Sequence, residues 1–210
     1  MRNDKRIPSE TGRAPSERER GPLYAGIVAG VLTLLYVSSF IDRNILNQLV
    51  RPIRADLRIS DTEYSLLIGL AFVGIYTATG IPLGRIADAG SRSVMAAVGC
   101  AVWSVRTAVC GLAGSVGGLV AARIGVGVGE AALSPAAYSL LADYFPPNNL
   151  ARAMSVYSLG VPVGSGLALL IGGVGIEYAT GATAGGGLLD GFRPWQIVMF
   201  AAGLPGIVLA

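Results

Sequence analysis

Apolar stretches of 18 or more residues recur along this chain from Leu23 onward. Each is long enough to cross the hydrocarbon core of a bilayer as a helix. Inside lipid every backbone N–H and C=O must be satisfied within the chain, which leaves helices as the way to use such runs. Composition sharpens the reading. Charged residues make up 14% of the chain, against about 25% in soluble domains. Residues 1–22 hold ten of the 29 charged side chains, so the remainder is nearly bare of charge. A soluble single domain and a disordered chain are both excluded. Glycine is abundant, 30 of 210 residues, without a triplet period, which membrane helices tolerate.

The runs divide into six predicted spans. They cover about Leu23–Val50, ended by Pro52; Asp61–Ile86, with Asp61 as N-cap; Arg92–Leu112; Val116–Phe145, stopped by Pro146-Pro147-Asn148-Asn149; Leu150–Ile176; and Pro194–Ala210. Residues 1–22 read as a flexible cytoplasmic tail with no apolar core of a signal peptide. Residues 23–210 read as one six-helix transmembrane domain whose sixth helix runs off the chain end. Ala179–Gly191 reads as a mobile Gly-rich loop. Spans two and five carry matching interruptions, Gly80-Ile81-Pro82-Leu83-Gly84 and Gly160-Val161-Pro162-Val163-Gly164. Paired interruptions of that kind mark an inverted three-plus-three repeat. A cytoplasmic N-terminus leaves nine Lys and Arg on the inner side and four on the outer.

Five ionisable residues fall inside apolar spans: Asp42, Arg43, Arg106, Arg123 and Glu130. Each costs at least about 2.5–3.5 kcal/mol at the bilayer centre, so each needs a partner or a wet cavity. At 1.5 Å per residue, Asp42 lies about 12 Å and Arg123 about 10.5 Å from the same membrane face. They are placed to pair across spans one and four. Glu130, seven residues after Arg123, shares its face about 10 Å deeper. The expectation is a central polar site: Arg43 and Arg123 hold an anionic substrate, while Asp42 and Glu130 bind and release a proton. The alternative is a structural ion-pair network. Arg106 has no acid in its own span, and a phosphate head group or the cavity are its candidate partners.

Histidine is absent, so His-based metal sites and triads are excluded. No metal, cofactor or catalytic residue is expected. Cys100 and Cys110 sit about 15 Å apart along one predicted helix, too far for a disulfide. Six of the sixteen basic residues lie in the first 20, so the basic balance does not indicate nucleic acid. Gly125, Gly127 and Gly129 lie within a predicted helix and are not a dinucleotide fingerprint.

The segment Gly84-Arg85-Ile86-Ala87-Asp88-Ala89-Gly90-Ser91-Arg92 resembles the loop signature of the major facilitator superfamily. Arg123-Ile124-Gly125-Val126-Gly127-Val128-Gly129-Glu130-Ala131 looks like its fourth-helix motif, and Gly160, Pro162, Gly164 and Gly166 resemble its kinked fifth-helix motif. Asp42-Arg43, Gly129-Glu130-Ala131 and the run Pro135–Phe145 resemble the Spinster-like branch, whose members move lysophospholipids and sphingosine phosphates. The resemblance spans about residues 24–210. It implies an all-α membrane protein of six transmembrane helices, one half of a twelve-helix fold. It also implies that Gly84, Asp88 and Arg92 form a conformational latch. Physically, Gly84 is expected to let spans two and three approach, and Asp88 to cap the start of a helix. Gly125, Gly127 and Gly129 are expected to pack helices, and Gly160, Pro162 and Gly164 to bend one. The sequence departs from the signature at Ala89 and Ser91.

These readings imply a secondary transporter rather than an enzyme. It would be proton-coupled and would move an amphipathic organic anion such as a lysolipid. The alternatives are a small sugar-acid type anion, or an inactive half acting as a membrane scaffold. Its expected partners are a proton, the substrate, the bilayer, and a missing C-terminal half or a second copy. Truncation of a longer gene product is expected over dimerisation. The expected location is a bacterial inner membrane.

Overall fold

The computed structural model describes residues 21–183 and 191–210, without the side chains of Leu67, Ile68, Ala71, Asp88 and Ala89. The expected tail therefore lies outside the described residues up to position 20, as does most of the Gly-rich loop. The helix before that loop continues to Thr183, seven residues beyond its expected end.

Span one is α1 (Pro22–Gln48), followed by a short α2 (Val50–Leu57). Span two is α3 (Asp61–Ile68), a π-helical turn (Leu70–Gly74) and α4 (Ile75–Ala89). Span three is α5 (Arg92–Cys110). Span four is α6 (Val116–Ala131) and α7 (Leu133–Tyr144), and span five is α8 (Pro147–Ser158) and α9 (Gly160–Thr183). Span six is α10 (Pro194–Leu209). Four of the six spans are long and apolar enough to cross a membrane; α10 is shorter, and span two is divided by the π turn.

Three of the helix breaks share a cause; span two instead breaks at the π turn, and the interruption expected at residues 80–84 lies inside an undivided α4 that contains Pro82. Proline lacks an N–H, and its ring crowds the carbonyl four residues back. Gln48, Ala131 and Ser158, the last residues of α1, α6 and α8, each stand four residues before Pro52, Pro135 and Pro162. Pro52 thus does not end span one where expected. It breaks the helix one turn earlier, at Leu49, and sits inside α2. Tyr64 of α3 meets that break, its hydroxyl donating to the Leu46 carbonyl at 2.5 Å. The cap of α3 is Ser60, one residue before the expected Asp61. Its Oγ accepts from the Glu63 N–H, and Glu63 reaches back to the Ser60 N–H at 2.8 Å, a full capping box.

Lipid gives helices no hydrophobic drive to associate, so small residues decide where backbones touch. On α9, Gly160, Gly164, Ala168 and Gly172 recur every four residues, and the three glycines lie against α1. A Cβ at Gly160 would come within 2.8 Å of the Tyr36 ring, and one at Gly164 within 2.6 Å of the Val37 carbonyl oxygen. Gly99 of α5 and Gly129 of α6 cross in the same way. The Cβ of either would fall below 3 Å from the other's carbonyl oxygen. The opposite faces carry exposed apolar stripes: Ile27, Val31 and Leu34 on α1, and Val163, Leu167, Leu170 and Val174 on α9. Such stripes are surfaces for lipid or for a partner half.

The packing obeys the three-plus-three pattern. Span one packs on span five, and span four on span two; span three packs on span four, and span six on span one. Span two meets span three as span five meets span six, while three–six and one–four are their own equivalents. Exchanging spans one to three with four to six leaves this set of contacts unchanged. The fold is therefore a six-helix half built from two repeats.

Candidate functional site

The buried charged residues of α1 and α6 converge. Asp42, Arg123 and Glu130 are 2%, 1% and 0% exposed. Asp42 and Arg123 do lie at one height, but they do not form the expected side-chain pair. Arg123 Nη2 donates to the main-chain oxygen of Asp42 at 3.4 Å. The Asp42 carboxylate instead accepts from the hydroxyl of Thr107 on α5. Glu130 is taken by Arg43, whose Nε donates to Oε2 at 2.5 Å. Depth along the helix placed the residues, and side-chain direction chose the partners. Side chains tilt toward the N-terminus of their helix, so Arg43 reaches back down α1 to the deeper level of Glu130.

Aromatic rings enclose this pair. The Arg43 guanidinium carbon lies 4.5 Å from the Tyr76 ring centroid, 5.1 Å from Phe40 and 5.4 Å from Phe72. Phe72 also faces Arg123 at 5.3 Å, so one ring serves both cations. Phe72 belongs to the π-helical turn, and π turns often mark functional positions. Gly127 makes room for it, because a Cβ there would come within 3.2 Å of the Phe72 carbonyl oxygen. Tyr36 stacks on Tyr157 at 4.3 Å, and Tyr138 meets Tyr157 edge-on. Asn44 ties α1 to α9 through Ser165 at 3.2 Å. Among the described residues, Asp42 Oδ1 and Arg123 Nε and Nη1 are buried without a hydrogen-bond partner. The centre thus holds two carboxylates and two guanidiniums, with unused bonding capacity on Asp42, Arg123 and Glu130.

The loop motif is arranged differently from expectation. Asp88 lies in the last turn of α4, not at the start of a helix, and its side chain is outside the described residues. Ser91 caps α5 instead, accepting from the Val94 N–H. A serine hydroxyl directly before the helix reaches the third amide, and Gly90 has already ended α4. Arg92 pairs with Asp143 of α7, joining spans three and four. Gly84 does not seat against span three, since a Cβ there meets nothing within 4 Å. Gly125 lies under the Arg106 side chain, and Gly129 under the backbone at Trp103. Gly160 and Gly164 pack on α1, and Pro162 separates α8 from α9.

Sequence reasoning did not single out Thr107, Phe72, Tyr76 or Asp143's role as partner. Thr107 carried a signal, a polar side chain one position from Arg106 in an apolar span. Phe72 carried none, because a π turn leaves no trace in apolar periodicity.

Comparison with known proteins places this geometry. The profile of the Major Facilitator Superfamily matches residues 32–210. An MFS-type efflux pump of Mycolicibacterium smegmatis is 31% identical over 190 residues, covering 90% of this chain and 41% of the pump. A hexuronate transporter of Escherichia coli K12 is 30% identical over 138 residues, covering 66% of this chain and 32% of the transporter. The crystal structure of a bacterial homolog to the human lysosomal transporter Spinster, inward-facing and unoccupied, superposes with a TM-score of 0.82. It is 34% identical, over 90% of this chain and 42% of that one. The chain spans less than half the length of each of these relatives. The matched profile and the six-helix architecture together show that the chain belongs to the Major Facilitator Superfamily and forms an N-terminal half of its fold.

Proposed function

We propose that this chain is the N-terminal half of a secondary transporter that couples proton movement to an amphipathic organic anion, working with a second six-helix half by alternating access. The observation that carries the reading is the Arg43–Glu130 pair beside Asp42 and Arg123, buried between spans one and four. Four charges kept deep in lipid are costly unless they face a pathway. In this reading Asp42 and Glu130 exchange the proton, and Arg43 and Arg123 receive the anion. The half-exposed Tyr36 and the exposed Tyr138 supply an amphipathic wall suited to a substrate with both charge and apolar surface. Arg92 with Asp143, together with Gly84 and Asp88, forms the latch. The likeness to the bacterial Spinster homolog favours a lysolipid or sphingoid-type substrate. A second reading, a sugar acid, is favoured by the likeness to the hexuronate transporter.

The test is pH-gradient-driven uptake into liposomes containing the chain assembled with its second six-helix half, with a fluorescent lysophospholipid and a radiolabelled hexuronate as parallel substrates. Asp42→Asn and Glu130→Gln are expected to abolish driven uptake while the protein stays monodisperse in detergent. Normal coupled uptake by both variants refutes the proton role. Preference for the hexuronate selects the second reading, and no uptake by the unmodified assembly overturns the transporter reading and leaves the chain a scaffold half.

A further inference from the structure

Arg106 stands apart from the central site. It lies four residues before the end of α5, about 6 Å below that end. Its side chain folds down across α6. An ideal Cβ on Gly125 would fall 2.8–2.9 Å from its Cγ, Cδ and Nε, so the missing side chain of Gly125 forms the seat for the arm. The residues around it, Val102, Val109, Ile124 and Val128, are all apolar and exposed. Among the described residues no carboxylate pairs with Arg106 and no acceptor receives its hydrogen bonds. Directly below, spans two, three and four leave an apolar cleft of about 140 Å³ lined by Leu83, Val98, Val102 and Val128. Val102 is one turn of α5 below Arg106, and Val128 nearly one turn of α6 below Gly125, so the cleft begins where the arm is seated.

A guanidinium held at this depth needs a counter-charge. The planar fork of its donors matches a phosphate. Charge complementarity at the mouth therefore selects an anionic head group, and the apolar cleft selects a hydrocarbon chain. We propose that Arg106 and this cleft form a lateral site for one anionic membrane phospholipid, the phosphate on Arg106 and an acyl chain lying in the groove bounded by Leu83, Val98, Val102 and Val128. The site uses none of the residues assigned to transport. It orders a boundary lipid against the seam between α5 and α6.

The test is titration of the 210-residue chain in detergent with phosphatidylglycerol and, separately, phosphatidylcholine of the same acyl length, read by native mass spectrometry. Two variants accompany it: Arg106→Gln removes the cation, and Val128→Phe fills the cleft and leaves the cation in place. The unmodified chain is expected to bind one phosphatidylglycerol at least tenfold more tightly than phosphatidylcholine, and each variant to lose at least tenfold. Equal binding of the two lipids by the unmodified chain overturns the charge assignment, without reference to any variant that fails to fold. Unchanged phosphatidylglycerol binding in Arg106→Gln or in a folded Val128→Phe overturns the site. Tighter binding of a single-chain lysophosphatidic acid than of phosphatidylglycerol overturns the assignment to a membrane lipid.

Discussion

Replacing both members of the Arg43–Glu130 pair separates a structural bond from a working one. Glu130 has no exposed surface, and the Arg43 side chain is 23% exposed. Removing one partner of a buried pair costs about 3–5 kcal/mol, because the other charge is left uncompensated. Glu130→Met strands Arg43, but three aromatic rings and partial exposure soften the loss, so about 3 kcal/mol is expected. Arg43→Met strands a fully buried carboxylate and is expected near 5 kcal/mol. The double variant replaces two charges by apolar side chains of similar size, which is neutral or stabilising by about 1–4 kcal/mol. The coupling between the sites should therefore be about 8 kcal/mol, a factor above 10⁵ in the unfolding equilibrium. Reversible unfolding in mixed micelles, titrated with SDS, measures all four corners of the cycle. Single-variant losses that add within about 0.5 kcal/mol in the double variant would refute the pairing. The same double variant then tests function. It is expected to be as stable as the parent and inert in pH-gradient-driven uptake; if it transports normally, the pair serves structure alone.

Two other substitutions check the packing argument. Gly129→Ala drives a Cβ to 2.6 Å from the Trp103 amide nitrogen and 2.9 Å from the Gly99 oxygen. Backbone atoms cannot swing aside, so a loss of about 1–3 kcal/mol or more is expected. Gly84→Ala meets nothing, and helix propensity makes it neutral or stabilising by up to about 1 kcal/mol; equal melting shifts for the two variants would contradict the close-approach reading. Tyr64→Phe leaves the Leu46 carbonyl with only the Leu49 N–H nearby among the described backbone bonds. A loss of about 1 kcal/mol is expected, with faster amide exchange confined to the α1–α2 junction, and protection equal to the parent's there would count against Tyr64 as the partner of that break.

The chain's own pattern was sufficient for the membrane class, the six spans and the two-repeat organisation. Apolar length and proline position are local quantities, and lipid admits no other use for them. The cost of a charge in hydrocarbon likewise pointed to Asp42, Arg43, Arg123 and Glu130 before any contact was known. Partner choice was not local. Asp42 and Arg123 share a height, yet Asp42 turns to Thr107 and Arg43 claims Glu130, because the direction of each side chain depends on which helix packs behind it. The same holds at the loop motif. Asp88 reads as a cap in sequence, but the chain ends α4 one residue later and gives the cap to Ser91. Phe72 reaches both arginines only because a π-helical turn shifts the register of span two. Sequence periodicity fixes which residues must avoid water, while the rotation and crossing of packed helices, set by glycines such as Gly129 and Gly164, decide which of them meet.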